Sequence, residues 1–169
     1  MLTSDEENFL KTIPASKKVS IKPFDPRIKD ISKNLILDIK NVCSDLEIIH
    51  MGASGLEISG QNDIDIYALA NPIDFDKYLP ALTKLLGEPL HSHKSFVEWK
   101  FFKEGFEVEF YLTDPDSSSM QRQIKVFNIL KSTPKLLEEY KNMKESMNGK
   151  SFRDYQRKKY EFYAKILNI

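Results

Sequence analysis

The feature that most constrains this chain is the run Ile48–Leu69, IIHMGASGLEISGQNDIDIYAL, in which a glycine-punctuated polar loop separates two short β-prone segments. Glu47–Met51 reads as the first strand, and Gly52, Gly55 and Gly60 mark the loop. The second segment alternates: Asp63, Asp65 and Tyr67 fall on one face, Ile64, Ile66 and Ala68 on the other. Two carboxylates at i and i+2 project from the same side, roughly 6.5 Å apart along the strand. Aspartate is disfavoured in strands, so two at the head of one need a reason. A turn cap accounts for one of them. It accounts poorly for Asp65, which stands between two isoleucines. Like charges at this spacing are costly unless a cation lies between them, and a divalent-metal site is the functional reading.

A second pair follows the same pattern. Phe96–Lys103 and Phe106–Leu112 read as strands joined by Glu104-Gly105, a tight-turn signal. In the second arm Phe106, Val108, Phe110 and Leu112 share one face, while Glu107, Glu109 and Tyr111 share the other. Taken alone, Glu107 and Glu109 are what any half-exposed strand shows. Placed in one sheet with Asp63 and Asp65, their polar faces converge. Two aspartates and one glutamate supply about three negative charges against the four positive of two Mg²⁺, and triphosphate oxygens supply the balance. Oxygen-only ligands select Mg²⁺ or Mn²⁺ over zinc. The loop at Gly52–Ser54 offers backbone N–H groups and a hydroxyl to the terminal phosphates.

A Gly-Ser element, then an Asp-hydrophobic-Asp strand, then a later lone acid on a strand resembles the nucleotidyltransferase superfamily related to DNA polymerase beta. Here the elements are Gly52-Ala53-Ser54, Asp63-Ile64-Asp65 and Glu109, with Glu107 as the alternate third carboxylate. Over most of its length the chain is similar to the GrpB-like family of that superfamily. Val19–Pro26 resembles that family's opening, and Ile49–Ser54 its hydrophobic–His–hydrophobic–Gly-Ser-Thr segment. Leu130-Lys131, Pro134, Tyr140, Lys144, Tyr155, Lys159 and Phe162 stand at the family's spacing. There are departures. Ala53 occupies a position where the superfamily usually has serine, and Glu107-Val108-Glu109 replaces a frequent His-x-His.

The resemblance implies an α+β fold: a nucleotidyltransferase-like mixed β-sheet, helices packed behind, and a C-terminal helical segment. It implies a metal-dependent nucleotidyltransferase that moves an NMP from an NTP to a hydroxyl or phosphate acceptor. Asp63, Asp65 and Glu109 would be catalytic and metal-binding, Glu107 the alternate ligand, and Gly52 and Ser54 nucleotide-binding, with Mg²⁺ or Mn²⁺ as cofactor. The acceptor stays open among a small molecule, an RNA end and a protein hydroxyl. The rival is a non-catalytic nucleotide- or metal-binding module, or a protein-interaction module, on the same fold. Glycosyltransferases also use Asp-x-Asp but lack the upstream Gly-Ser loop, and Ile66-Tyr67 fails the haloacid-dehalogenase pattern.

For a triphosphate a cationic partner is expected. Lys94, Lys100, Lys103, Arg122, Lys125 and Lys131 lie near the hairpin and the helix after it, and the sequence does not choose among them. His50 either orients the glycine loop or is a satisfied half-buried histidine. Trp99 either stacks a base or belongs to the core. His91 and His93 lack a third metal ligand at nearby spacing.

The rest of the chain supports one domain over 19–169, helical from 116 on, preceded by a polar lead-in at 1–18 that packs loosely. Val19–Phe24 reads as an edge strand. Asp25-Pro26 opens a helix carried by Ile28, Ile31, Leu35, Ile39 and Val42. Asp74 or Asp76 opens another that runs to Leu86, with Pro80 a kink or a restart. The 25 basic residues balance the 25 acidic ones, so no large field argues for a duplex nucleic acid or an anionic membrane. One cysteine, Cys43, allows no disulfide within the chain. Neither a signal peptide nor an apolar run of about 20 residues stands out, and a cytoplasmic protein is expected.

Overall fold

The structure is a computed structural model and describes residues 2–168. Five strands form one mixed sheet in the order β1-β2-β5-β4-β3. They are β1 (Glu47–Met51), β2 (Ile64–Leu69), β3 (His91–Ser92), β4 (Phe96–Lys103) and β5 (Phe106–Thr113). β2 and β5 run parallel at the centre, and the other neighbours are antiparallel.

The hairpin forms as its sequence dictates. Lys103 pairs with Phe106, and the two residues between them take positive φ, 51° at Glu104 and 87° at Gly105. That is the backbone a two-residue turn needs to match the twist of its strands.

Alternation gives the sheet two unlike faces. Ile64, Ile66 and Ala68 of β2, Val97 and Trp99 of β4, and Phe106, Val108, Phe110 and Leu112 of β5 are buried together on one of them. Helix α2 (Arg27–Val42) covers this face with Ile28, Ile31, Leu35 and Ile39. Asp25 serves its start, accepting from the Arg27 amide at 3.0 Å. Helix α4 (Phe75–Leu86) adds Phe75, Tyr78 and Leu82 and runs through Pro80 without a break. Trp99 belongs to this core, 1% exposed, with Nε1 donating to the Gly87 carbonyl at 2.9 Å.

The opposite face carries the acids. It is flanked by a one-turn helix, α3 (Gly52–Gly55), and by α5 (Ser118–Ser132), α6 (Pro134–Ser146) and α7 (Phe152–Leu167). Met120 and Phe127 of α5 pack with Met51 of β1, and Tyr67 and Leu69 of β2 join them. This anchors α5 on the acid-bearing side.

Two expectations change. Val19–Phe24 is not a strand of the sheet. It makes one isolated bridge, Lys22 to Gly60, with a second, Lys18 to Ser151, just before it. Pro23 and Pro26 leave too few consecutive donors for a ladder. The segment instead ties the α6–α7 connection to the glycine loop, with Gly149 donating to Val19 at 2.8 Å and Lys22 to Gly60 at 2.7 Å. Nor is the lead-in loosely packed. Helix α1 (Ser4–Thr12) starts with a capping box between Thr3 and Glu6. Leu10 and Ile13 are buried with Val19, Met147, Phe152 and Tyr155, and Glu7 pairs with Arg157 at 3.0 Å.

Leu10→Ala therefore costs about 2–5 kcal/mol, the range for a buried leucine that leaves a cavity. Equilibrium unfolding in urea measures it. A loosely held lead-in gives a change below about 0.5 kcal/mol.

Candidate active site

The register across β2, β5 and β4 builds the site in rows. Asp65 lies beside Glu109, and Glu109 beside Lys100. One step along, Tyr67 lies beside Tyr111, and Tyr111 beside Glu98. The two tyrosine rings stack at 5.0 Å, which confirms that odd-numbered β2 residues and odd-numbered β5 residues share a face. Neighbouring strands are about 4.8 Å apart, so Asp65 and Glu109 reach into the same space. Asp63 stands just before the first residue of β2.

The glycine loop closes one end. Gly52 has a φ of +68°, and a Cβ there would collide with Oδ2 of Asp65. The Asp65 carboxylate thus rests on the bare α-carbon of Gly52. Ala53 turns inward to a cluster with Ile58, Val126, Leu130 and Tyr140. A Cβ on Gly60 would meet that of Ala53 at 2.5 Å. Position 53 is a packing position, which is why a small apolar residue stands there. Ser54 is 4% exposed, and its Oγ is 2.9 Å from Nε2 of His50. His50 is half-buried and orients the loop, so the two readings of it hold together.

Electrostatics set the halves of the site apart. Among the described residues no ion pair reaches Asp63 or Asp65. Burial pushes the Asp65 carboxyl well above the usual range, and Asp63 and Glu109 push it further. Burial raises Asp63 as well, opposed by its own backbone amide and by Lys144. By contrast Glu109 and Glu107 are satisfied. Lys100 Nζ is 2.9 Å from Glu109 and 2.8 Å from Glu107. Burial opposes the charge on Lys100, but the two glutamates outweigh it and keep the ammonium protonated. Among the described residues no three His, Cys, Asp or Glu side chains gather closely enough to hold a metal ion. The donor set nevertheless fits a hard divalent cation: two desolvated aspartates without a counter-charge at contact distance, and a third carboxylate on the adjoining strand.

The cations that act on the aspartates are not those nearest in sequence. Lys100 is paired with the glutamates, Lys103 with Asp38 at 3.5 Å, and Arg122 with Glu6 at 3.3 Å. Lys131 lies over the Phe127 ring, and Lys125 on α5 and Lys94 are exposed. Instead Lys144 of α6 and Lys159 of α7 extend their field to both Asp63 and Asp65. Lys144 is 5% exposed and donates to the Tyr155 hydroxyl at 2.7 Å. Burial, with Lys159 next, brings it down to about 8. Lys159 is held above the ordinary lysine range, Tyr163 contributing most. A lysine followed by another 15 positions later leaves no helical signal linking them to acids some 80 residues upstream. Only the packing of α6 against α7 brings them together. His91 and His93 are exposed at the sheet edge.

A family model described as GrpB protein matches residues 18–168. Among solved structures, Cid1, described with RNA terminal uridylyl transferase activity, is similar at 16% identity and a TM-score of 0.44 over 83% of this chain and 47% of that one. The Cid1 poly(U) polymerase with MgGTP bound gives 15% identity and a TM-score of 0.45 over 83% and 48%. This chain spans about half the length of those proteins, 47% and 48%. No curated protein matches the chain.

Two outcomes follow from this geometry. Gly52→Ala displaces the Asp65 carboxylate and strains a left-handed backbone position, at a cost of at least about 1 kcal/mol in urea unfolding. His50 is held down at about 4 by burial against an ordinary 6.5. The folded state then resists protonating it. The stability it permits is complete above pH 6.5 and is lost as pH falls toward 4, by about 3 kcal/mol. Asp63 and Asp65 act in the opposite sense as they are neutralised, so the difference between wild type and His50→Gln isolates the histidine. Measured by urea unfolding from pH 7 to pH 4, the stability of wild type falls relative to that of His50→Gln as pH falls.

Proposed function

The chain belongs to the GrpB family, and from that premise we propose that it is a metal-dependent nucleotidyltransferase, moving an NMP from an NTP to a hydroxyl or phosphate acceptor. The observation that carries this reading is Asp65: a half-buried carboxylate whose charge desolvation opposes, with no ion-pair partner among the described residues, beside Glu109 on a parallel strand and within the field of Lys144 and Lys159. A fold retains such a group against its own stability when a ligand supplies the missing charge.

Asp63, Asp65 and Glu109 would hold Mg²⁺ or Mn²⁺, with Glu107 as alternate ligand, and the ion would neutralise polyphosphate charge and polarise the attacked phosphoryl group. Lys144 and Lys159 draw the polyphosphate against α6 and α7. The backbone at Gly52 lines the phosphate end of the cleft, and Ser54, held by His50, fixes the loop there. Glu109 receives the proton of the acceptor oxygen. The bond from that oxygen to the α-phosphorus forms, the bond to pyrophosphate breaks, and the two terminal phosphates leave toward the lysines. The acceptor class stays open among small molecules, RNA ends and proteins. Among the described residues no helix is long and apolar enough to cross a membrane.

One observation favours the rival, a nucleotide- or metal-binding module without turnover: Glu109 is already engaged by Lys100. Incubation with labelled NTPs and Mg²⁺ or Mn²⁺ separates the two by pyrophosphate release. In the transferase reading, Asp65→Asn abolishes release while raising Tm at neutral pH, because it removes a charge that the fold disfavours. For a chain of this size each kcal/mol gained is worth about 2–4 °C. Turnover that survives Asp65→Asn overturns the site assignment. Lys144→Met and Lys159→Met each raise the KM for NTP about tenfold or more, read from initial rates.

A further inference from the structure

The glutamate half of the sheet face holds more acceptors than donors. Lys100 Nζ contacts Glu107 Oε1 at 2.8 Å and Glu109 Oε1 at 2.9 Å. The Tyr111 hydroxyl is 3.1 Å from Glu109 Oε2 and also 3.1 Å from Glu98 Oε1. A phenol has one proton, so it donates to one of these carboxylates at a time. Three glutamates thus share one ammonium and one hydroxyl proton, and Glu109 is the member common to both contacts.

We infer that Glu109 is an exchangeable ligand, tethered in the empty site by Lys100 and Tyr111 and released from them when a divalent cation binds at Asp63 and Asp65. The inference rests on the metal site proposed above and adds that Lys100 sets its affinity.

The residual partners make the release possible. When Glu109 turns away, Glu107 keeps Lys100 and Glu98 keeps the Tyr111 proton, so no carboxylate loses its last partner. Glu109 is the residue beside Asp65 in the parallel register and shares its face. Its longer side chain reaches either way, whereas Asp65 is seated on Gly52. The tether is weak enough to give way: the side chains of Lys100 and Glu109 are 37% and 25% exposed, and ion pairs with that access to water are modest. It is also the reason three ligands do not converge among the described residues. Lys100 stands in for part of the missing cation charge, on the side of Glu109 away from Asp65, since β5 separates β2 from β4.

The test is Mn²⁺ alone, titrated into the whole protein at fixed ionic strength and followed by calorimetry and by the loss of free Mn²⁺ resonance. Lys100→Met is expected to tighten Mn²⁺ binding threefold to tenfold. Tyr111→Phe, which changes no charge, is expected to tighten it about twofold to threefold. Glu109→Gln weakens binding, and in that background Lys100→Met gives no gain, because there is no carboxylate left to release. An unchanged dissociation constant in Lys100→Met overturns the inference. So does an equal gain in the Glu109→Gln background, which marks a field effect of the lysine on the metal. Lys100→Gln, which keeps a hydrogen-bond donor, carries the test if Lys100→Met fails to fold. The metal reading fails separately: it falls if Mn²⁺ binding is absent from every variant or is unaffected by Asp65→Asn.

Discussion

The parallel pairing of β2 with β5 is the contact on which the rest depends. Its register sets Ile64 beside Val108, Asp65 beside Glu109, Ile66 beside Phe110 and Tyr67 beside Tyr111. Because side chains alternate with a period of two, one alignment sends the apolar set into the α2–α4 core and the acids to the opposite face. A one-residue slip of either strand reverses its faces, placing carboxylates among Ile28, Leu35 and Trp99. The hydrophobic core and the acid cleft are therefore specified by the same hydrogen bonds, and neither survives without the other.

The cleft costs stability that the core supplies. Burial opposes the charge on Asp63 and Asp65 from the sheet side and on Lys144 from the helix side. The opposed charges moderate one another, but they do not form contact ion pairs among the described residues. Their carriers are held elsewhere: α7 by Leu10 of α1 and Ile13 just after it, by Tyr155 in the same cluster and by the Glu7–Arg157 pair. The short connection through Val19 and Lys22 joins the α6–α7 turn to Gly60. These contacts hold two lysines within the field of two aspartates without a contact ion pair among the described residues.

Local patterns were legible in the chain wherever the deciding physics is local. The period-two runs gave β2, β4 and β5 and the face on which Asp63, Asp65, Glu107 and Glu109 stand. Glu104-Gly105 gave the hairpin, and Ile28, Ile31, Leu35 and Ile39 gave α2. What escaped the sequence depends on distant partners. Lys144 and Lys159 stand at the family's spacing, but nothing local ties them to the aspartates until α6 and α7 fold against the acid-bearing face, and the basic residues near the hairpin attracted attention by proximity alone. Leu10 and Ile13 sit in a polar stretch whose burial needs Phe152 and Tyr155, some 140 residues away. Ala53 stood out as a departure, at a position where the superfamily usually has serine. The contact of Gly60 with its side chain shows that this position belongs to the interior.

Side-chain length divides the labour across the sheet face. Aspartate has a single methylene, and Asp65 is fixed by the backbone of β2 and by the surface of Gly52. Glutamate has two, with correspondingly more rotamers, and Glu107 and Glu109 both reach Lys100. Reversing the assignment would defeat both halves. A glutamate at position 65 does not fit the seat that Gly52 leaves, and an aspartate at position 109 has too short an arm to serve both Lys100 and the space beside Asp65. The aspartates at the head of β2 and the glutamates on its parallel neighbour thus differ in reach: Asp65 is fixed by its backbone and by Gly52, while Glu107 and Glu109 extend to Lys100.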